Sequence, residues 1–226
     1  MSFSERMNED LWDVETATTA TGNGGKNIIP ITHYIQKTPG SGTIDVGGID
    51  ESAEAWWCNQ DKDSGTESSG TFLMLNGEMR SMYNDCSKGS GGPPDIMICD
   101  QGTFEAYEAG MDTKTRYSYT DDASVGFENI KFKGAKLFWE EHMCDPDGGY
   151  NWDNASYDGA TGAVYFINSK NLDLVCGKGR DFAPLGFQSP VNQDARVGKW
   201  VFYGQLVCNN RRKLGVLEDI TVALTS

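Results

Sequence analysis

The sequence predicts an α+β fold, and three observations predict it. Phe72, Leu75, Met79, Met82, Tyr83 and Cys86 recur at three- and four-residue steps, which lines up one apolar face of a helix, and Gly89 stands where such a helix stops. From residue 130 onward the apolar residues gather instead in short β-branched or aromatic runs bounded by Gly, Asn and Pro, at 130–138, 163–168, 172–175 and 197–208. Between these regimes the continuous apolar run 95–99 reads as a buried strand, so the central part is ordered helix, strand, helix.

Taken in order, the first dozen residues place Met7 and Leu11 four apart with Phe3 a turn earlier, a short amphipathic helix with Glu5, Arg6 and Glu9 outside. A helix this short is marginal alone, so it either packs on the body or ends a longer element whose beginning is absent. The Thr- and Gly-rich stretch 16–25 is expected as a loop. The run 28–35, interrupted by Pro30, and the Gly-rich stretch 39–48 are expected as irregular strands. Trp56 and Trp57 precede the polar stretch 61–70, which lacks core-forming side chains and is expected as a loop separating two regions. Asp100 is placed to cap a second helix carrying Phe104, Tyr107 and Met111. Residues 130–133 alternate until Gly134 shifts the phase, which predicts a bulge or a tight turn. Residues 145–162 form a long polar insertion.

A chain of 226 residues with 38% hydrophobic composition is long enough for a substantial core, as one domain or as two lobes. Its 19 basic against 33 acidic residues give a net charge of −14, and the one basic cluster is Arg211, Arg212 and Lys213. Such a surface repels phosphate, which argues against sequence-specific nucleic-acid binding and against docking to an anionic membrane. The first residues have no leader pattern and no later stretch is apolar enough to cross a bilayer. An intracellular, reducing compartment is therefore expected, with the six cysteines as thiols.

Catalytic chemistry has little to work with. His33 and His142 are the only histidines, and there is no nucleophile elbow, dinucleotide fingerprint or phosphate loop, so no enzyme and no cofactor are expected. His142 and Cys144, with Cys176, amount to half of a zinc pattern and no metal is expected there. Asp145, Asp147, Asp153 and Asp158 leave a calcium-ordered loop open, without the terminal Glu of the usual motif. Glu140 and Glu141 beside Trp139 and Trp152 offer the carboxylates of a sugar-cleaving site, but neighbours on a strand point to opposite faces and a second carboxylate from elsewhere would be required. The Asn154-Ala155-Ser156 acceptor pattern matters only after secretion.

Several stretches, read in order, resemble one family. They are Gly24-Gly25-Lys26-Asn27-Ile28, then TIDVGGIDESAEAWW over 43–57, Pro94 with Asp95-Ile96-Met97-Ile98-Cys99-Asp100, GFENIKFKGA over 126–135, Val164-Tyr165-Phe166-Ile167-Asn168, Arg180-Asp181-Phe182-Ala183-Pro184-Leu185, and Val191-Asn192-Gln193-Asp194-Ala195. The series, spanning about residues 5 to 220, is similar to the major capsid proteins of tailed bacteriophages with the Hong Kong 97-type shell fold.

The resemblance implies a structural subunit of an icosahedral capsid, assembling as hexamers and pentamers to enclose the DNA genome, made in the bacterial host cytoplasm and resident in the virion. It implies an axial α/β lobe and a partial peripheral lobe: residues 1–60 as the end of a spine helix and following strands, 61–190 as the axial lobe, and 191–226 as return strands joining the lobes. The arm, the extended hairpin loop and the start of the spine helix that the family carries are expected to be missing here, and with the hairpin goes any cross-linking lysine. Implied partners are copies of the chain itself, with scaffolding, portal or decoration proteins. An acidic inner wall suits packaging and ejection of DNA. The expected subunit contacts are exposed aromatics and charged rims at Arg116, Tyr117, Arg180, Phe182, Arg211 and Arg212. A phage decoration or other structural protein, and a glycan-binding or glycan-cleaving protein, are the alternatives.

Overall fold

A computed structural model describes residues 3–12, 28–40, 46–64, 72–112, 130–143, 161–188 and 196–221. Its centre is a six-stranded mixed sheet built from β1 (Gln60–Asp63), β2 (Ile96–Cys99), β3 (Lys131–Phe132), β4 (Ala135–Trp139), β5 (Thr161–Ile167) and β10 (Gly215–Thr221), in the order β1-β10-β5-β2-β4-β3. The α+β class expected from the sequence is the class observed.

Successive side chains of these strands point to opposite faces, and along β5 and much of β2 and β10 both faces are covered, while β1, β3 and β4 keep one face exposed. Met97, Cys99, Val164, Phe166 and Leu217 join Leu75, Met79, Met82 and Cys86 of α3 (Phe72–Ser87) and Phe104 and Tyr107 of α4 (Gln101–Asp112). Ala163, Tyr165, Ile167 and Val216 join Trp12, which follows α1 (Phe3–Leu11), and Ile31 and Tyr34 of α2 (Ile31–Tyr34) on the other face. Trp12 meets Tyr165 edge-on at 5.3 Å between ring centroids. This double burial explains why 95–99 and 163–168 read as near-continuous apolar runs.

Asp100 caps α4 as its position suggested: Thr103 N–H donates to Oδ2 at 2.9 Å. The other oxygen accepts Ala163 N–H of β5, also at 2.9 Å, so one carboxylate joins the helix to the sheet. Burial pushes its pKa above the usual 3.8, against the opposing pull of its hydrogen bonds with Thr103. The approach is tight enough to require Gly162, where a Cβ would lie 1.9 Å from Thr103 Oγ1.

Two expected elements are corrected, and the expected tight turn at Gly134 is observed. Residues 31–34 form a helical turn and not a strand, preceded by Pro30 as an extended N-cap residue. Gln60–Asp63 is a polar edge strand, parallel to β10, and not a loop. Gly134 is half of a two-residue hairpin turn, with Lys133 and Gly134 both at positive φ (48° and 94°), a geometry whose twist matches its flanking strands. β10 lies between β1 and β5, inside the sheet.

Candidate interaction surface

Beyond the body, four strands build a projecting ribbon. β6 (Leu172–Cys176) pairs antiparallel with β9 (Gly204–Cys208), and β7 (Ala183–Gln188) pairs antiparallel with β8 (Val197–Val201). Because 172–188 runs against 197–208, the two ladders are one hairpin in series. The single run expected at 197–208 is thus split at Phe202-Tyr203. There six residues, 177–182, face two: Gly177 N–H donates to Tyr203 O at 2.8 Å and Tyr203 N–H to Arg180 O at 2.9 Å. The Tyr203 ring covers Gly177, and Phe182, at φ 44°, stacks on Phe202 with ring centroids 5.0 Å apart. We call this interruption the elbow.

The base is held to the body. Leu206 is buried, its carbonyl accepts from Tyr34 Oη at 2.7 Å, and Gln205 Oε1 accepts Ile29 N–H. Further out the covering ends while the side chains stay apolar: Tyr203 is 72% exposed, Trp200 67% and Phe187 77%. Pro184 and Trp200 stand opposite each other on one face, where the Phe187 ring also lies over Gly198. Leu185 and Lys199 stand opposite each other on the reverse. A two-stranded ribbon is at best marginally stable alone, and large contiguous exposed apolar surface marks an interaction site. The arrangement fits surface burial against a partner.

Of the six residues expected at contacts, Arg180 and Phe182 fall together at the elbow, both exposed, and Arg212 is exposed on the body. Arg116 and Tyr117 lie outside the described residues. Arg211 is a correction to the picture of an exposed charged rim, because it is 0% exposed. Its guanidinium pairs with Glu51, donates from Nε to Tyr34 O at 2.8 Å and reaches Asn59 Oδ1 at 3.2 Å, so its donors are spent inside. Its neighbour Lys213 is also internal, donating to Lys88 O and Gly89 O at the C-terminal end of α3. The sequence reading missed Trp200, Phe187 and Tyr203. Their apolar character, on strands too short for a sheet core, was the available signal.

Among the described residues no group of three or more His, Cys, Asp or Glu side chains is arranged to hold a metal ion. Cys144 and the four aspartates of the calcium possibility lie outside them. Cys58, Cys86, Cys99, Cys176 and Cys208 are free thiols. Burial pushes the Cys86 thiol up to about 12 and the Cys208 thiol up to about 11, toward the protonated form. Glu140 accepts from Asn8 Nδ2 at 2.7 Å, fastening α1 to the end of β4. No helix among the described residues is long and apolar enough to cross a membrane. No family model matches the chain, and no curated protein matches it.

Proposed function

We propose that this chain is a structural subunit of a tailed-phage icosahedral capsid of the Hong Kong 97 type, a shell-building protein and not an enzyme, acting in the virion with copies of itself in hexamers and pentamers. The observation that carries the reading is the arm: a jointed ribbon whose outer half exposes Phe187, Trp200 and Tyr203 has its apolar surface prepared for other subunits. The body supports it as well. A mixed sheet whose central strands are covered on both faces, with α3 and α4 on one side, is compatible with an axial lobe, and the ordered series of similar stretches runs through body and arm alike. Many weak repeated contacts, closed by symmetry, would then suffice for a stable shell.

The test is light scattering with negative-stain microscopy on this chain, alone and co-expressed with the reading frame directly upstream. Rings of five or six copies, or closed particles, are expected. A stable monomer under both conditions overturns the reading.

A further inference from the structure

Apolar exposure is gathered on the arm. Of the twelve large apolar side chains exposed among the described residues, nine lie between Leu172 and Cys208, and the body shows three: Trp56, Phe138 and Trp139. Those three form no comparable face. Phe138 and Trp139 are neighbours on β4 and point to opposite sides, on a hairpin that also exposes Lys131, Lys133 and Lys136. Trp56 donates its ring N–H to Glu54 and precedes β1, at the far edge of the sheet from β3 and β4.

The outer ladder of the arm has one face without charge. The register that sets Ala183 opposite Val201 and Pro184 opposite Trp200 continues inward to Phe182 beside Phe202. These two pairs therefore share a face, and the Phe187 ring completes it over Gly198. Within 182–188 and 197–202 the one charged residue is Lys199, which stands with Leu185 on the reverse. The aromatic face offers a phosphate backbone or a charged rim no counter-charge, so what covers it is apolar. Charge elsewhere decides which parts of two copies can meet. Between Gly177 and Tyr203 four basic residues stand against two acidic ones, a balance of +2, which leaves 15 basic and 31 acidic residues elsewhere, a balance of −16. Two bodies repel each other, and two arms approach with far less repulsion.

We propose that the aromatic faces of two arms pack on each other about a two-fold axis, with Phe182, Pro184, Phe187 and Trp200 of one copy covering the same residues of a second. The contact is isologous, one patch against itself, and turns two ribbons into a two-layered sandwich. A fully buried aromatic side chain covers about 150–250 Å². With Phe187 77%, Trp200 67% and Phe182 37% exposed, the face brings roughly 400 Å² per copy, about 800 Å² for the pair, against the ~1,200–2,000 Å² of a stable interface. One such contact is weak and reversible. The inference rests on the shell reading for its role: a two-fold contact joins one ring of subunits to the next and does not build the ring.

The test uses the full chain with its upstream frame co-expressed. The photoreactive p-benzoylphenylalanine is incorporated in place of Phe187, this protein is mixed with 15N-labelled parent, and cross-links between light and heavy copies are mapped by mass spectrometry. They are expected at 182–188 or 197–202 of the heavy copy. Cross-links to the body of the heavy copy, or to the upstream product, overturn the inference, as does association without any cross-link. Trp200→Lys, verified as folded by thermal unfolding, is expected to associate roughly ten-fold or more weakly in light scattering. The parent is expected to associate more strongly as salt is raised, because the body charges that keep copies apart are screened; weakening with salt overturns the inference. Rings that persist in Trp200→Lys without joining into particles support it. Particles that form undiminished from this variant overturn it and leave the shell reading standing. Parent dimers lost in the variant, with no rings or particles, uphold the contact and overturn the shell reading, and a parent that stays monomeric overturns both.

Discussion

Arg211 and Asp100 show how single polar groups hold this fold together. Removing Arg211 leaves Glu51, 1% exposed, as a buried carboxylate without its cation, so Arg211→Met is expected to lower unfolding stability by about 3–5 kcal/mol in urea titration. Pairing it with Glu51→Leu should recover much of that loss, which separates the missing partner from lost packing. Asp100 makes a prediction about pH. Its folded pKa lies above 3.8, so between that value and the folded one the native state binds the proton more strongly than the unfolded chain, and this group's contribution to stability falls as pH rises. Asp100→Asn is expected to flatten that slope in urea midpoints measured upward from pH 3.8. It should also lose about 1 kcal/mol throughout, because an amide cannot accept from both Thr103 and Ala163. Asp100 was legible from sequence because a cap acts over three residues. Arg211 was not, since the Arg-Arg-Lys cluster reads as a surface patch and its partner Glu51 is 160 positions away.

At the level of elements, the helices and strands that announce themselves are those whose period is unbroken. The α3 stripe, the β2 run and the α4 cap were all readable. β10, a central strand, was not, because Glu218-Asp219 interrupts its apolar pattern. The structure resolves the conflict with a register shift between Leu217 and Ile220 and with Asp219 at φ 51°, which returns both apolar side chains to the same core. β1 escaped notice for the opposite reason: an edge strand needs no apolar alternation, and charged residues there discourage pairing with other chains. Helix–sheet spacing yields a sharp prediction. At Gly215 a Cβ would lie 2.6 Å from Cys86 Sγ and 3.0 Å from Met82 Sδ, and at Gly162 it would meet the Asp100 cap. Gly162→Ala and Gly215→Ala are each expected to cost about 1–3 kcal/mol by overpacking, with Gly162→Ala the worse because capping is broken too; denaturant titration compares them.

Across the whole molecule, the proposed function places stability and association in different parts. Body residues hold the fold, and the outer arm contributes little to it. Phe187→Ser with Trp200→Ser should therefore change unfolding stability by no more than about 0.5 kcal/mol while abolishing self-association in sedimentation, a dissociation of effects that core substitutions cannot produce. Sequence reading recovered the α+β class and singled out Arg180 and Phe182, which the structure leaves exposed at the elbow. It did not recover the arm, since a hairpin broken in the middle leaves no fixed spacing between its halves. The elbow has one more consequence. Two backbone hydrogen bonds, the Tyr203 ring over Gly177 and the Phe182–Phe202 ring contact cross it, so the ribbon is two short ladders joined at one irregular step. A change of angle there would disturb those contacts and spare both ladders, so that under the proposed shell function one sequence would meet neighbours at unequal angles with its tip unchanged.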